Sequence, residues 1–436
     1  MLRVGAFYSL VAVAVPLAFF RPFEGLLIYM FFAHGHPTDF VWSGFVFNYG
    51  VVIGGSLIAG YLIFESRKSP LQIRGLVLLL LFWLWIAAGS FMALNPDLAL
   101  GKLTSFNKIF IITLLVGALA NSEERIGKVL RMIAICLGVL GTKSFIDIIL
   151  TGGRFRIQGP GGMLSEENEF SLGMNMAVAI LVFMASVEER WWLRRFFQVA
   201  AIGCGTTVVF TRSRSGLLGL ITVCLLLTLY SRRKSLAIPG LALAVLAFVM
   251  FAPEAALDRY KTIPNAGQSD PSAIGRLEMW ETALYIAKDH PFFGVGMRNF
   301  VPAVPLYTSY EPRAPHNALI ALIAETGIPA CLLFLGMVLG ASRQSWVNWR
   351  RMSQHPDNRK LAAYCLLLHT TLLVYLVPNL FINRQDFDLM YHLVAVSAAM
   401  TVVVQRRLIE QRASQKSEIL LDRNWTPVPE GMAAPA

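Results

Sequence analysis

The sequence predicts an all-α polytopic membrane protein of about 12 transmembrane helices with one large loop on the outward face. Three observations predict it. Charged residues make up only 15% of the 436-residue chain and hydrophobic ones 56%, whereas a soluble domain carries about a quarter charged residues. Apolar runs approaching the length needed to cross a ~30 Å hydrocarbon core recur from end to end. Basic clusters occupy every second connection between those runs, as Lys and Arg do in cytoplasmic loops.

Taken in order, residues 4–34 are apolar but broken by Pro16 and by Arg21-Pro22. With a cytoplasmic N-terminus they make one net crossing, read as one span plus a short re-entrant or interfacial piece. The first twenty residues have a basic start and an apolar core but no small-residue cleavage site, so an uncleaved span is expected rather than a signal peptide. Further runs lie near 45–64, 75–94, 105–120, 127–150, 169–187, 196–211, 215–230, 236–252, 316–341, 361–381 and 388–405. The connecting clusters are Arg67/Lys68/Arg74, Arg125/Lys128/Arg131, Arg190/Arg194/Arg195, Arg232/Arg233/Lys234, Arg343 to Lys360, and the tail from Arg406. Runs and clusters alternate without conflict, which puts residue 45 outside and the tail inside. These clusters hold 22 of the 38 basic residues. The net charge of +11 is therefore a topology signal, and no nucleic-acid partner is expected.

The chain divides into transmembrane helices over 1–252, a large outward loop over 253–315, three more spans over 316–405, and a partly disordered cytoplasmic tail over 406–436. The other outward segments are 34–44, 95–104, 151–168, the turn at 211–215, and 382–387. Within the large loop, "GRLEMWETALYIAKDHPFFGVG" reads as an amphipathic helix carrying Leu277, Trp280, Leu284 and Ile286, closed by a Pro/Gly turn. All five cysteines (Cys136, Cys204, Cys224, Cys331, Cys365) fall inside apolar runs. No disulfide is expected, and no Cys/His cluster has zinc spacing. A monomer is expected.

Outward segments of such a protein should be poor in basic residues, yet the short ones here are rich in arginine. Arg154 and Arg156 sit among glycines, Arg212 and Arg214 at a tight turn, and Arg298 and Arg313 flank the next span, with Arg276 and Arg384 besides. The runs around Arg212 and Arg214 are roughly 24 Å long at 1.5 Å per residue, so both guanidiniums lie at or below the lipid surface and must snorkel or meet an anion. Planar guanidinium forks near glycine-rich backbone suit a diphosphate. The alternative is contact with lipid headgroups or with Glu166, Glu167 and Glu169, although "SEENE" itself reads as a solvated acidic turn. The large loop is balanced in charge and suits only a small anion.

The stretch "RAPHNALIALIAETGIPA", residues 313–330, adds a histidine and an acid. Pro315 suits a first helical turn, which puts His316 at the outer mouth of a span. On a helical wheel Gly327 and Ala330 fall within about 40° of His316, a small stripe that lets a neighbouring helix approach. His316 is then either an interfacial histidine bonded to backbone or a reactive group. Glu325 lies half a turn around and roughly 13 Å deeper, so it cannot pair with His316. Pro329 removes the hydrogen bond that the Glu325 carbonyl would accept. Glu325, Gly327 and Pro329 are read as structural, with Glu325 facing a polar interior.

These residues resemble the bacterial O-antigen ligases, within the larger group of O-antigen polymerases and ligases. The ligase pattern is His, then Asn, Ser or Gln, nine residues, Gly, two residues, then Gly, Thr or Tyr. Here it reads His316-Asn317, nine residues, Gly327, two residues, Ala330, departing at the last position. The family's Arg-x-x-x-Leu turn is matched by Arg214 to Leu218, and its functional arginine in a long periplasmic loop by Arg276. "RKSP", "GGRFRIQGP" and "EENEFSLGM" resemble a subgroup, the O-glycosylation ligases of exosortase systems. The similarity runs from about residue 65 to 340.

The resemblance implies a GT-C-like architecture in the bacterial inner membrane with a periplasmic active site. It implies transfer of a glycan from undecaprenyl diphosphate to a hydroxyl of lipid A-core, with His316, Arg214 and Arg276 catalytic. Arg154, Arg156, Arg212, Arg313, Asn317 and Arg298 would bind diphosphate or glycan. The chemistry agrees: a diphosphate is a good leaving group, so the site needs arginines for its charge and a base for the acceptor hydroxyl. An in-line attack inverts the anomeric carbon. No DxD-like pair stands in the outward loops, and neither metal nor cofactor is expected. An O-antigen polymerase or a protein O-oligosaccharyltransferase shares this chemistry. A polysaccharide transporter is the competing class, favoured by Lys143 and Asp147 and disfavoured by the clustering of charge on one face.

Overall fold

The computed structural model describes residues 2–37, 48–69, 73–231, 234–235, 238–240, 242 and 271–424, and among these it contains helices and no strands. Arg232 and Arg233, most of the run 236–252, most of the segment 34–44, residues 253–270 of the large loop and the end of the tail lie outside the described residues.

The helices are α1 (Leu2–Phe20), α2 (Pro22–Gly35), α3 (Tyr49–Gly60, continued by a π turn to Glu65), α4 (Val77–Phe91), α5 (Pro96–Leu119), α6 (Glu123–Thr151), α7 (Glu167–Val187), α8 (Trp191–Phe210), α9 (Arg214–Tyr230), α10 (Pro271–Asp289), α11 (Phe300–Tyr307), α12 (Ala318–Met352), α13 (Arg359–Asn379) and α14 (Asp388–Asn424). Seven of the described helices are long and apolar enough to cross a membrane, and three shorter apolar ones begin at Tyr49, Val77 and Arg214. Together these ten fall short of the expected twelve. Of the rest, α2 has only 14 residues, α8 carries Arg194 and Arg195, and the run 236–252 is largely undescribed.

α7 is the centre of the bundle. Every residue from Glu169 to Leu181 is buried, against α6, α8, α9 and α13. α6 and α8 cross where Gly141 faces Cys204; a Cβ at Gly141 would lie 2.2 Å from the Cys204 sulfur. Small residues allow such close crossings where lipid offers no hydrophobic drive to associate.

Ion pairs and hydrogen bonds sort the connections onto two ends. At one end Arg125 reaches Glu65, Arg131 reaches Glu188, and Arg407 bonds Asn358. Among the described residues, the basic connections that carry these contacts thus meet at a single end. The opposite end carries His316 and the arginine-bearing segments.

Three expectations change. First, α1 and α2 form an antiparallel hairpin. Phe7 packs on Tyr49 at the start of α3, while a Cβ on Gly60, late in α3, would lie 2.1 Å from the Phe19 carbonyl oxygen. The chain therefore begins and returns at the His316 end, without the single net crossing expected of 4–34. Second, the outward segment 95–104 is helical, the first turns of α5, with Lys102 paired to Asp386 at the His316 end. Asn95 caps α5, its side chain accepting from the Asp97 and Leu98 amides at 3.1 and 3.3 Å, with Pro96 at the first helical position. Third, the tail expected to be partly disordered is helical as far as Asn424, and the stretch expected to be disordered lies almost wholly outside the described residues.

The large loop packs its own small core on the start of α12. Met279, Ala283 and Ile286 of α10 meet Val295, Phe300 and Val304. Of the residues expected to form the apolar stripe, Ile286 is buried and Trp280 half-buried, but Leu277 and Leu284 are exposed, at 51% and 65%; Met279 and Ala283 take their place in the buried face.

Candidate functional site

α12 is two helices joined at Gly327, whose backbone (φ 84, ψ 169) is not helical. The Cys331 sulfur lies 3.8 Å from the Leu319 carbonyl, whereas twelve residues of straight helix span about 18 Å. The first half therefore folds across the end of the bundle. Its carbonyls 324 and 325, freed from the helical ladder, accept from the amides of Val295 and Gly296 at 2.9 and 2.8 Å. The Pro/Gly turn after α10 is thus stitched to the break. Pro329 frees the Glu325 carbonyl as the sequence implied, and Gly296 takes it up.

This overturns the wheel. The small residue Gly327 admits the Phe292 backbone, 1.9 Å from a would-be Cβ, rather than another helix. Glu325 is not 13 Å below the mouth. The turn bonded to it also bonds the α4–α5 connection, Leu94 N to Val295 O at 2.9 Å and Asn95 N to Asn299 Oδ1 at 2.8 Å. The Glu325 carboxylate accepts from the Phe300 amide at 3.4 Å, a structural role.

His316 is not helical either. Asn317 is the N-cap, its side-chain oxygen accepting from Leu319 and Ile320 at 3.0 and 3.1 Å, which assigns that side chain a capping task the sequence reading did not give it. His316 precedes the cap in a left-handed conformation, φ 48. Half-buried, its imidazole is held below the usual histidine pKa by burial first and the Arg276 charge second, with Glu166 pulling the other way.

Glu166 introduces the residues that organise this end. Glu167 pairs with Arg156 at 2.6 Å, and Asn168 accepts from Ser213 and Ser215 at 2.6 and 3.5 Å. Glu169, 7% exposed, pairs with Arg384 at 3.2 Å. "SEENE" is therefore not a solvated turn. It is the N-terminus of α7, where acids favour the helix dipole, and successive side chains reach three different connections.

The arginines divide accordingly. Arg156 also donates to the Thr211 carbonyl at 3.0 Å, and Arg212, left-handed at φ 56, donates to the Arg154 carbonyl at 3.2 Å. Arg214 is the first residue of α9, capped by Ser213. The glycine-rich segment 152–162 is thereby folded onto the 211–216 turn, and Arg154, Arg156, Arg212 and Arg214 share one patch. Arg276 stands with His316. Arg313 is exposed, pairs with Glu311 and lies against Gly275. Arg298, left-handed at φ 65 and exposed, belongs to the turn over Glu325.

Lys143 and Asp147 line a cavity of about 100 Å³ with Gln158 and Pro160, at this same end and not at mid-bundle. A larger cavity of about 600 Å³ lies among Gly75, Gly340, Gln344 and Thr401. None of the nominated residues lines it, so size does not mark the chemistry here. Sequence reading missed Trp280 as a polar contact and Asn383, whereas its alternative of arginines meeting nearby carboxylates is what Arg156–Glu167 and Arg384–Glu169 form. The polar string "NRQD" between two apolar runs was the available signal for Asn383.

The N-terminus of α7 joins these groups, Glu167 pairing with Arg156 while Glu166 acts on the His316 imidazole, and guanidiniums gathered in this way can hold an anion. Residues 199–335 match the family model described as O-antigen ligase, in agreement with the resemblance of the sequence. That segment contains Arg212, Arg214, Arg276, His316 and Gly327, and over it the chain is similar to that family. No curated protein matches the chain. The matched segment accompanies seven described helices that are long and apolar enough to cross a membrane.

Proposed function

We propose, with that similarity as the premise, that the chain is an O-antigen ligase of the bacterial inner membrane with a GT-C-like architecture. It transfers a glycan from undecaprenyl diphosphate to a hydroxyl of lipid A-core on the periplasmic side. The observation that supports the reading is the N-terminus of α7, where Glu166 acts on His316 along with Arg276 while the next residue, Glu167, pairs with Arg156 of the arginine patch. The lowered pKa keeps the imidazole neutral at pH 7, as a general base requires.

In the reaction His316 takes the acceptor hydroxyl proton as the oxygen attacks the anomeric carbon from the face opposite the diphosphate. The bond from that carbon to the diphosphate oxygen breaks, and the electron pair leaves on the diphosphate. Arg214, Arg212 and Arg154 stabilise the leaving charge, and Arg276 stands closest to the base. Arg156, tied to Glu167, holds the patch in shape. The configuration inverts and no metal takes part.

The test is a reconstituted assay with undecaprenyl-diphosphate-linked glycan and lipid A-core. His316→Ala and Arg214→Ala should each lose about 10²-fold or more; full activity in both sinks the proposed site. In cells, a null strain accumulating long unligated glycan supports the ligase. Single-repeat capping would point to a polymerase, and under-glycosylated protein to an O-oligosaccharyltransferase.

A further inference from the structure

His316 is one of four non-glycine residues with positive φ among those described, with His36, Arg212 and Arg298. A side chain bearing a Cβ stays there only where its surroundings over-determine the backbone. At His316 the determinants are visible. The backbone angles of a residue are the rotations between its two flanking peptide planes, and here each plane is pinned by one hydrogen bond. Trp280 Nε1 donates to the Pro315 carbonyl at 2.7 Å. Asn383 Oδ1 accepts from the Asn317 amide at 2.7 Å.

We propose that Trp280 and Asn383 are positioning residues that together clamp His316 in its left-handed conformation and so present its imidazole beside Arg276 and Glu166. The two come from separate parts of the chain. Trp280 is one turn along α10 from Arg276, on the same face, so docking of α10 delivers the clamp and the arginine together. Asn383 sits in the α13–α14 connection, where the Arg384 carbonyl accepts from Tyr375 at 2.7 Å and the Arg384 amide donates to Asn379 at 3.0 Å. The Glu169 ion pair ties that connection to α7. The base is thus aimed only when the large loop, α7 and the α13–α14 connection are assembled at once.

The inference rests on His316 being the base, and the experiment separates the two. In the reconstituted assay, Trp280→Phe keeps the ring but loses the N–H, Asn383→Ala loses the acceptor, and Asn383→Asp keeps it. Trp280→Phe and Asn383→Ala should each lower kcat about tenfold, the scale of one lost buried hydrogen bond, with KM within about twofold. The acid limb of the pH–rate profile should move to higher pH as a loosened imidazole gains water, since Arg276 from α10 and Glu166 before α7 are retained. Asn383→Asp should stay within about threefold of wild type. Wild-type kcat and an unmoved acid limb in both deletions overturn the clamp, as does an equal loss in Asn383→Asp. Should Trp280→Phe not fold, the Asn383 pair decides alone. Retained activity in His316→Ala would instead overturn the assignment of the base.

Discussion

Replacing Gly327 by alanine tests the break in α12 directly. At φ 84, ψ 169 the residue occupies a region that is essentially restricted to glycine and costs a side-chain-bearing residue about 3 kcal/mol. The added Cβ would also lie 1.9 Å from the Phe292 carbonyl oxygen and 2.9 Å from the Phe293 amide nitrogen. Both are backbone atoms, so the whole turn must move. Moving it strains the bonds from Val295 and Gly296 to carbonyls 324 and 325 and from Ile328 to Pro291, all 2.8–2.9 Å. It also disturbs Trp85, which donates to the Phe292 and Thr326 carbonyls and stacks on Phe293 at 4.8 Å. Losing two of these bonds at about 1 kcal/mol each brings the total to about 5 kcal/mol. Thermal unfolding in detergent, followed by tryptophan fluorescence, should show an apparent midpoint lowered by at least about 5 °C. Protease should cut the 290–298 turn first. Gly340→Ala is the control, because nothing lies within 4 Å of its Cβ position. Equal midpoints for the two variants would refute the reasoning.

Arg276→Ala removes a positive charge that lowers the His316 pKa. The imidazole then protonates at higher pH, so the acid limb of the activity profile should move up by several tenths of a unit or more; an unmoved limb in the surviving activity means the two do not interact. Glu325→Gln keeps the acceptor for the Phe300 amide and should retain kcat within about threefold, whereas Glu325→Leu should lower stability by about 1–3 kcal/mol by stranding that amide. A large kcat loss in Glu325→Gln with stability intact would make Glu325 catalytic. Activity should persist in magnesium-free membranes treated with EDTA, and its abolition would require a metal in the mechanism.

Much of this molecule was legible in one dimension. Asn95-Pro96 carried the cap chemistry that starts α5, a local signal passed over when apolarity alone placed that start too late. The alternation of basic clusters, from Arg125 to Arg407, sorted the connections onto two ends because that pattern needs only the order of segments along the chain. Local backbone consequences were legible too: Pro329 freed a carbonyl wherever the chain went next.

The bonding at the site was not legible, and the reason is physical. A helical wheel extrapolates a straight rod, and Gly327 bends this one so sharply that Cys331 touches Leu319. Glu325, read as buried deep, thereby returns to the end that carries His316. Glu167, Asn168 and Glu169 look solvated in sequence because their partners, Arg156, Ser213 and Arg384, stand far away along the chain. By itself the sequence determined that the chain is a bundle of apolar helices, which of its ends gathers the basic connections, and that a histidine and several arginines occupy the other. Only tertiary structure decided which arginine stands beside the histidine and what holds that histidine's backbone, because both depend on contacts between residues tens of positions apart.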